Sequence, residues 1–181
     1  MQIPVSLETD RLMIRRYIAD DLEGLYRFFN NRDVTRYTDM PSSQTYEETK
    51  AFLDMLIDSY DSDEPFFAMA VCRKTDYEVI GSCGFASTEF LPETQIYYAI
   101  SPEFQGHGYA SEATGKLVEY MFLVLDINMI SVYCSPANPA SLKVARKMGM
   151  SYQGTIRQNE RDAEHFVLTR EDYLSWGQEV F

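Results

Sequence analysis

From Thr94 to Gly149 the chain reads strand, glycine loop, helix, strand, capped helix, and this order limits the fold more than any other feature. "TQIYYAI" (Thr94–Ile100) and "MISVYC" (Met129–Cys134) are aromatic and β-branched runs of strand length. Between them Gly106 and Gly108 precede a helical pattern with Ala110, Ala113, Leu117, Met121 and Val124 on one stripe and Glu112, Lys116 and Glu119 on the wet side. Strand, helix and strand in that sequence make a crossover. After the second strand, Asn138 suits an N-cap, Pro139 the first helical position and Gly149 a C-terminal stop.

The flanking segments fill in the layers. "RLMIRRY" (Arg11–Tyr17) alternates Leu12 and Ile14 with arginines and reads as a half-buried strand. Asp20 is expected to cap a short helix through Phe29, and Thr45 to start a second, with Phe52, Leu53, Leu56, Ile57 and Tyr60 at helical spacing. "FFAMAVC" (Phe66–Cys72) and "VIGSCGF" (Val79–Phe85) are strands, as are "MSYQGTI" and "HFVLTR" near the end, before a last helical turn "EDYLSW". The pattern predicts an α+β (mixed α/β) fold of antiparallel meanders with one crossover helix. No repeat or linker divides the chain, so residues 1–181 are expected to form a single domain.

Composition excludes several classes of function. Sixteen Lys plus Arg against 28 Asp plus Glu give a net charge of −12, which argues against a nucleic-acid partner and suits a basic or amine-bearing one. No apolar run approaches the ~20 residues that span a bilayer, and the N-terminus does not read as a signal peptide, so a cytoplasmic protein without a membrane partner is expected. Cys72, Cys83 and Cys134 fall in apolar strands with no paired spacing, as reduced buried thiols do. His107 and His165 are the only histidines, and nothing has metal-ligand spacing.

The glycine loop does not match the two best-known phosphate loops. A dinucleotide loop needs a third glycine, where Ser111 stands, and direct passage from strand to turn, which Pro102 interrupts. A triphosphate loop needs Lys-Ser/Thr after its last glycine, and none follows. A third possibility is a set of backbone donors at a helix N-terminus, closely approachable at Gly108; a simple turn is the other.

Read with its neighbours, "QGHGYA" resembles the acyl-CoA loop of the Gcn5-related N-acetyltransferase (GNAT) family, Q/R-x-x-G-x-G/A, with Gln105, Gly108 and Ala110 at the three positions. "TDRLMIR" (Thr9–Arg15), "YAISPEFQGHGYASEA" (Tyr98–Ala113) and "NPASLKVARKMG" (Asn138–Gly149) resemble, in order, three motifs of its RimJ/RimL-like branch, which acetylates protein N-termini and other amines. The resemblance implies a central mixed, largely antiparallel, splayed sheet flanked by helices, with acetyl-CoA as co-substrate and no metal. It implies that backbone N–H groups of Gly106, His107, Gly108, Tyr109, Ala110 and Ser111, after Gln105, hold the CoA pyrophosphate. Tyr98, Ala99 and Ile100 would bond the pantetheine arm, and a strand N–H would polarise the thioester carbonyl, a donor typically worth about 3–4 kcal/mol. Asn138 would bond the same arm, and Arg146 with Lys147 would meet the adenosine phosphates.

The resemblance also marks departures. The family often places a glutamate base where Gln95 stands, and an amide is no base at neutral pH. Glu93, two residues earlier on the same face of an extended strand, is the substitute. The tyrosine that protonates the leaving thiolate in many members is Ala145 here; Ser141 takes that role in the RimJ/RimL-like pattern, with Tyr98 and Tyr133 as further hydroxyls. An α-amine of pKa about 7.7–8.0 is roughly a tenth neutral at pH 7, whereas lysine near 10.4 is under a thousandth neutral. Loss of a dedicated base is therefore better tolerated with an α-amine.

The expectation is an acetyl-CoA-dependent N-acetyltransferase that works by direct attack of a primary amine in a ternary complex, as a monomer or homodimer. The acceptor is a peptide N-terminus; the alternatives are a small amine, polyamine or antibiotic, or a non-catalytic CoA-binding regulatory domain, suggested by Gln95 and Ala145.

Overall fold

The computed structural model describes residues 3–37, 44–63, 67–86, 94–158 and 160–176. They fall into two compact units: Met1–Gly84 with Tyr98–Leu117, and Phe85–Tyr97 with Val118–Phe181. Fourteen strands and α-helices are assigned: β1 (Ser6–Glu8), β2 (Leu12–Arg15), α1 (Leu22–Phe29), α2 (Arg32–Thr35), α3 (Tyr46–Ser59), β3 (Ala68–Arg73), β4 (Val79–Ala86), β5 (Thr94–Ile100), α4 (Tyr109–Leu123), β6 (Met129–Cys134), α5 (Pro139–Lys147), β7 (Ser151–Gln158), β8 (Arg161–Thr169) and α6 (Arg170–Trp176). Short 3-10 turns at Ala19–Asp21 and Pro102–Phe104 complete the set. The result is the expected α+β architecture. β5–β6 is a parallel pair, while β1–β2, β2–β3, β3–β4, β6–β8 and β7–β8 are antiparallel.

In the first unit the strands follow the order β1-β2-β3-β4-β5. Leu12 and Ile14 are fully buried while Arg11 is exposed, as the alternation of β2 requires. Leu53 and Leu56 of α3 and Leu25, Phe28 and Phe29 of α1 are buried as well, each worth about 1.5–3 kcal/mol of apolar burial. α3 starts where the sequence places it: Thr45 Oγ1 accepts from the Glu48 N–H at 3.1 Å, and Glu48 Oε2 accepts from the Thr45 N–H at 2.7 Å.

The first helix corrects the expected capping. Asp20 is exposed in the 3-10 turn, and α1 begins only at Leu22. The buried Asp21 carboxylate instead accepts two 2.7 Å bonds from the Arg15 guanidinium and one of 2.9 Å from the Ile18 N–H. A buried aspartate needs such partners more than the helix needs a cap. Tyr60 makes a comparable link, donating its hydroxyl proton to the Ala68 carbonyl at 2.7 Å and accepting from the Tyr17 N–H at 3.0 Å. Burial pushes its phenol up to about 12.

In the second unit the order is β5-β6-β8-β7. The parallel ladder covers only Thr94↔Ile130 and Gln95↔Ser131, although β6 runs on to Cys134. Ile130, Val132, Phe166, Leu168, Met121 and Phe122 form its apolar interior. β7 and β8 are longer than their sequence patterns suggest, with a bulge between Tyr152 and Gly154 where Gly154 takes φ 114°. Val124, expected on the α4 stripe, lies beyond the helix and is 65% exposed. β1 and the single turn of α2 carry too few periodic residues to be read from sequence.

The three cysteines are buried thiols outside any disulfide, as expected, and burial raises the Cys72 thiol to about 11 and Cys83 to about 12. Among the described residues no helix is long and apolar enough to cross a membrane.

Gly81 of β4 is where the sheet is tightest. A Cβ there would overlap the Ala99 carbonyl oxygen and lie 2.7 Å from Ile100 Cδ1. Gly81→Ala should therefore push β5 away from β4 and cost about 1–3 kcal/mol in urea unfolding. A wild-type midpoint would show that β5 yields freely at this point.

Candidate functional site

The loop between β5 and α4 is built from backbone held by its own side chains. Pro102–Phe104 form the 3-10 turn, closed by the Phe104 N–H to the Ser101 carbonyl at 2.9 Å and the Gln105 N–H to the Pro102 carbonyl at 3.1 Å. The Gln105 side chain turns back and donates Nε2 to the Ile100 carbonyl at 2.8 Å. Gly106 and Gly108 take φ 81° and 82°, a region that side chains rarely adopt. The two positive-φ glycines change the chain direction twice and deliver it to Tyr109, the first residue of α4.

The orientation of one peptide is set from outside the loop. Arg11 Nη1 donates to the His107 carbonyl at 3.1 Å. Because the peptide is planar and trans, the Gly108 N–H points away from Arg11. The Gly108 carbonyl in turn accepts from the Glu112 N–H at 3.0 Å, so the loop feeds directly into the helical ladder. The first N–H groups of a helix have no partner within it and carry the positive end of its dipole. His107 is exposed, its Nδ1 3.2 Å from the Phe104 carbonyl, and its ring stacks on Tyr109 at 5.8 Å.

Glu112 stands in the first turn of α4. Thr9 Oγ1 donates to its Oε1 at 2.5 Å, the Arg11 N–H to the same oxygen at 3.1 Å, and Arg11 Nε to Oε2 at 2.7 Å, with Nη2 2.5 Å from Oε2. Burial alone would raise this carboxyl; the bonds from Thr9 and Arg11 outweigh it and hold it below the ordinary range. The Arg11 guanidinium also lies 4.7 Å over the Tyr109 ring. Sequence reading placed Thr9 and Arg11 in a family motif but gave them no contact; only the motif's position ahead of a strand was visible.

In the second unit, Asn138 caps α5 as expected: its Oδ1 accepts from the Ser141 N–H at 3.2 Å. Ser141 Oγ lies 3.1 Å from Cys134 Sγ at the end of β6. Ala145 is fully buried on the helix face turned to the interior. Arg146 and Lys147 are exposed in the last turn, where cations complement the helix dipole.

On the β5 strand Tyr98 and Ala99 are half-buried and Ile100 is buried. Gln95 is half-buried, and its register partner Ser131 is fully buried with no hydrogen-bond partner for its Oγ among the described residues. One row further along the same face of β6, Tyr133 stacks on its register partner His165 at 4.6 Å and 17°. Glu93 lies outside the described residues. Among the described residues no group of His, Cys, Asp and Glu could hold a metal ion.

Residues 11–151 match the family model of the acetyltransferase (GNAT) domain. The chain is 31% identical over 153 residues to the uncharacterized N-acetyltransferase YoaA of Bacillus subtilis (strain 168), covering 84% of this chain and 86% of that protein. Its fold is similar to the crystal structure of a GNAT-family acetyltransferase from Bacillus anthracis, with a TM-score of 0.80, 23% identity and coverage of 92% and 99% of the two chains. It is also similar to spermidine N-acetyltransferase from Vibrio cholerae in complex with CoA and spermine, with a TM-score of 0.77, 19% identity and coverage of 92% and 99%. A family match over most of the chain, and a relative of this identity, carry the conclusion that the protein belongs to the GNAT acetyltransferase family and is an enzyme of the N-acetyltransferase type.

Proposed function

We propose that the protein transfers the acetyl group of acetyl-CoA directly to a primary α-amine, with a peptide N-terminus as the acceptor. Acetyl-CoA supplies the activated thioester. The observation that carries the reading is the pair of positive-φ glycines, Gly106 and Gly108, at the N-terminus of α4, with the Gly108 N–H pointing away from Arg11. Backbone donors there suit a pyrophosphate, and the helix dipole favours an anion locally although the chain as a whole carries a net charge of −12. The absence of a Cβ at Gly106, around which nothing lies within 4 Å, leaves room for the ligand's oxygens. Gln105 acts as a strap on Ile100, so its share in binding is through the backbone.

The remaining residues take parts in the transfer. Backbone groups of Tyr98, Ala99 and Ile100 would bond the pantetheine arm, and Asn138 would bond it while capping α5. Arg146 would meet the adenosine phosphates. As the C–N bond forms and the C–S bond breaks, the amine loses a proton and the thiolate gains one. Ser141, in the first turn of α5 where Asn138 caps its backbone N–H, is the hydroxyl that would protonate the thiolate. Tyr98 is the further hydroxyl, and Glu93 the carboxylate that would take the amine proton. Gln95 cannot take it, which favours an acceptor that is already partly neutral.

A second acceptor class has its own support. The acidic composition suits a polycation, and the Vibrio cholerae structure of the same fold is a spermidine N-acetyltransferase holding spermine.

Thiol release from acetyl-CoA with free-N-terminus peptides, N-acetylated lysine peptides, polyamines and aminoglycosides separates these acceptors. Turnover on free N-termini alone is expected; equal turnover on lysine peptides would sink the α-amine reading, and polyamine turnover alone would install the second. Gly108→Val should weaken CoA binding more than tenfold in calorimetry while leaving the thermal midpoint near wild type, because a β-branched residue resists φ 82°. Unchanged affinity would remove the loop as the cradle. Ser141→Ala should lower turnover roughly 10²-fold or more with CoA affinity preserved, as expected for a proton-transfer group typically worth about 10²–10⁴-fold. Asn138→Ala should cost about 1 kcal/mol of stability and lower turnover in parallel; full turnover in either variant would release α5 from the chemistry.

A further inference from the structure

The "TDRL" turn that opens β2 has no part in the transfer described above, yet two of its side chains reach α4. Thr9 and Arg11 together supply every bond that the Glu112 carboxylate receives, and Arg11 alone holds the His107 carbonyl and covers the Tyr109 ring. The Thr9 hydroxyl is itself fixed, since its Oγ1 accepts from the Leu12 N–H at 2.9 Å.

Stability does not explain so many bonds. The Arg11 side chain is 50% exposed, and exposed ion pairs contribute little to folding. Location explains them better. Glu112 lies in the turn whose N–H groups face the donor loop, so its charge competes with any anionic ligand for the same field. Arg11 both pairs with that charge and fixes the peptide plane so that the Gly108 N–H points away from the guanidinium. The same guanidinium passes close to Gly108, with Nη2 3.6 Å from where a Cβ would stand.

We infer that Arg11 is a positioning residue of the donor loop, which neutralises Glu112 and orients the Gly108 amide so that the loop accepts a diphosphate. This rests on the reading of the loop as the CoA cradle. It predicts opposite effects for the two partners of one ion pair. Arg11→Gln leaves Glu112 uncompensated and should weaken CoA binding about tenfold or more at low salt, shrinking to under threefold at 0.5 M salt as the charge is screened. Glu112→Gln should bind CoA at least as tightly as wild type. The double variant should recover most of the loss caused by Arg11→Gln alone.

Calorimetric titration of CoA into the four proteins, at low and high salt and with thermal midpoints recorded, decides the matter. Wild-type affinity in Arg11→Gln, a loss independent of salt, or a further loss on adding Glu112→Gln would each overturn the inference. Should Arg11→Gln not fold, Glu112→Gln alone still tests it: a tenfold loss of affinity there means that the pair acts as a structural tie and not as a charge switch. Gly108→Val in the same series separates this inference from its foundation. Wild-type affinity in that variant removes both, whereas its loss beside an unaffected Arg11→Gln removes only the role of Arg11.

Discussion

The turn before β2 and the loop before α4 are joined by a network that meets at the Glu112 carboxylate. Its oxygens accept from Thr9 Oγ1, the Arg11 N–H and Arg11 Nε, which ties the turn between β1 and β2 to a residue about a hundred positions later. A carboxylate in the first helical turn is favourable by itself, by about 0.3–1 kcal/mol. The Arg11 guanidinium does something that the dipole cannot: it donates to the carbonyl of His107 and so sets the plane of the next peptide. Flexible glycine loops pay for their freedom in conformational entropy, and a side chain that fixes one peptide removes part of that cost before a ligand arrives.

Much of this molecule is legible in its sequence wherever a local rule acts alone. α5 begins at Pro139 with Asn138 as its cap, and β5 and β6 begin and end at the residues that their composition marks. Thr45 and Glu48 form the reciprocal cap that their spacing suggests. Local reading fails where a side-chain pairing overrides the cap. Asp20, the expected cap, is exposed in a 3-10 turn while its neighbour Asp21 is drawn to Arg15, and α4 ends before Val124. β1 is three residues long and owes its existence to pairing with β2.

The site divides along the same line. The glycines, the N-cap and the serine after it can be read because each sits in a motif of a few residues. The tie from Arg11 to His107 and Glu112 cannot, since its partners lie 96 and 101 positions away in sequence. The contact between Ser141 and Cys134 spans only seven positions, yet the thiol reads only as a buried apolar residue until the turn after β6 brings α5 back over the strand.

The chemistry of the two protons follows from what the strands offer. β5 presents Gln95 where a base would be useful, and the neighbouring Ser131 hydroxyl is buried without a partner among the described residues. Neither group takes up a proton near neutral pH, so these two positions provide polar contacts and no base. A lysine acceptor would then have to be deprotonated at a cost of more than three pKa units, about 4–5 kcal/mol at pH 7, whereas an α-amine pays roughly 1 kcal/mol. The difference corresponds to a factor of several hundred in the neutral fraction. On the proposed direct transfer, that factor favours α-amines over lysine side chains as acceptors at neutral pH.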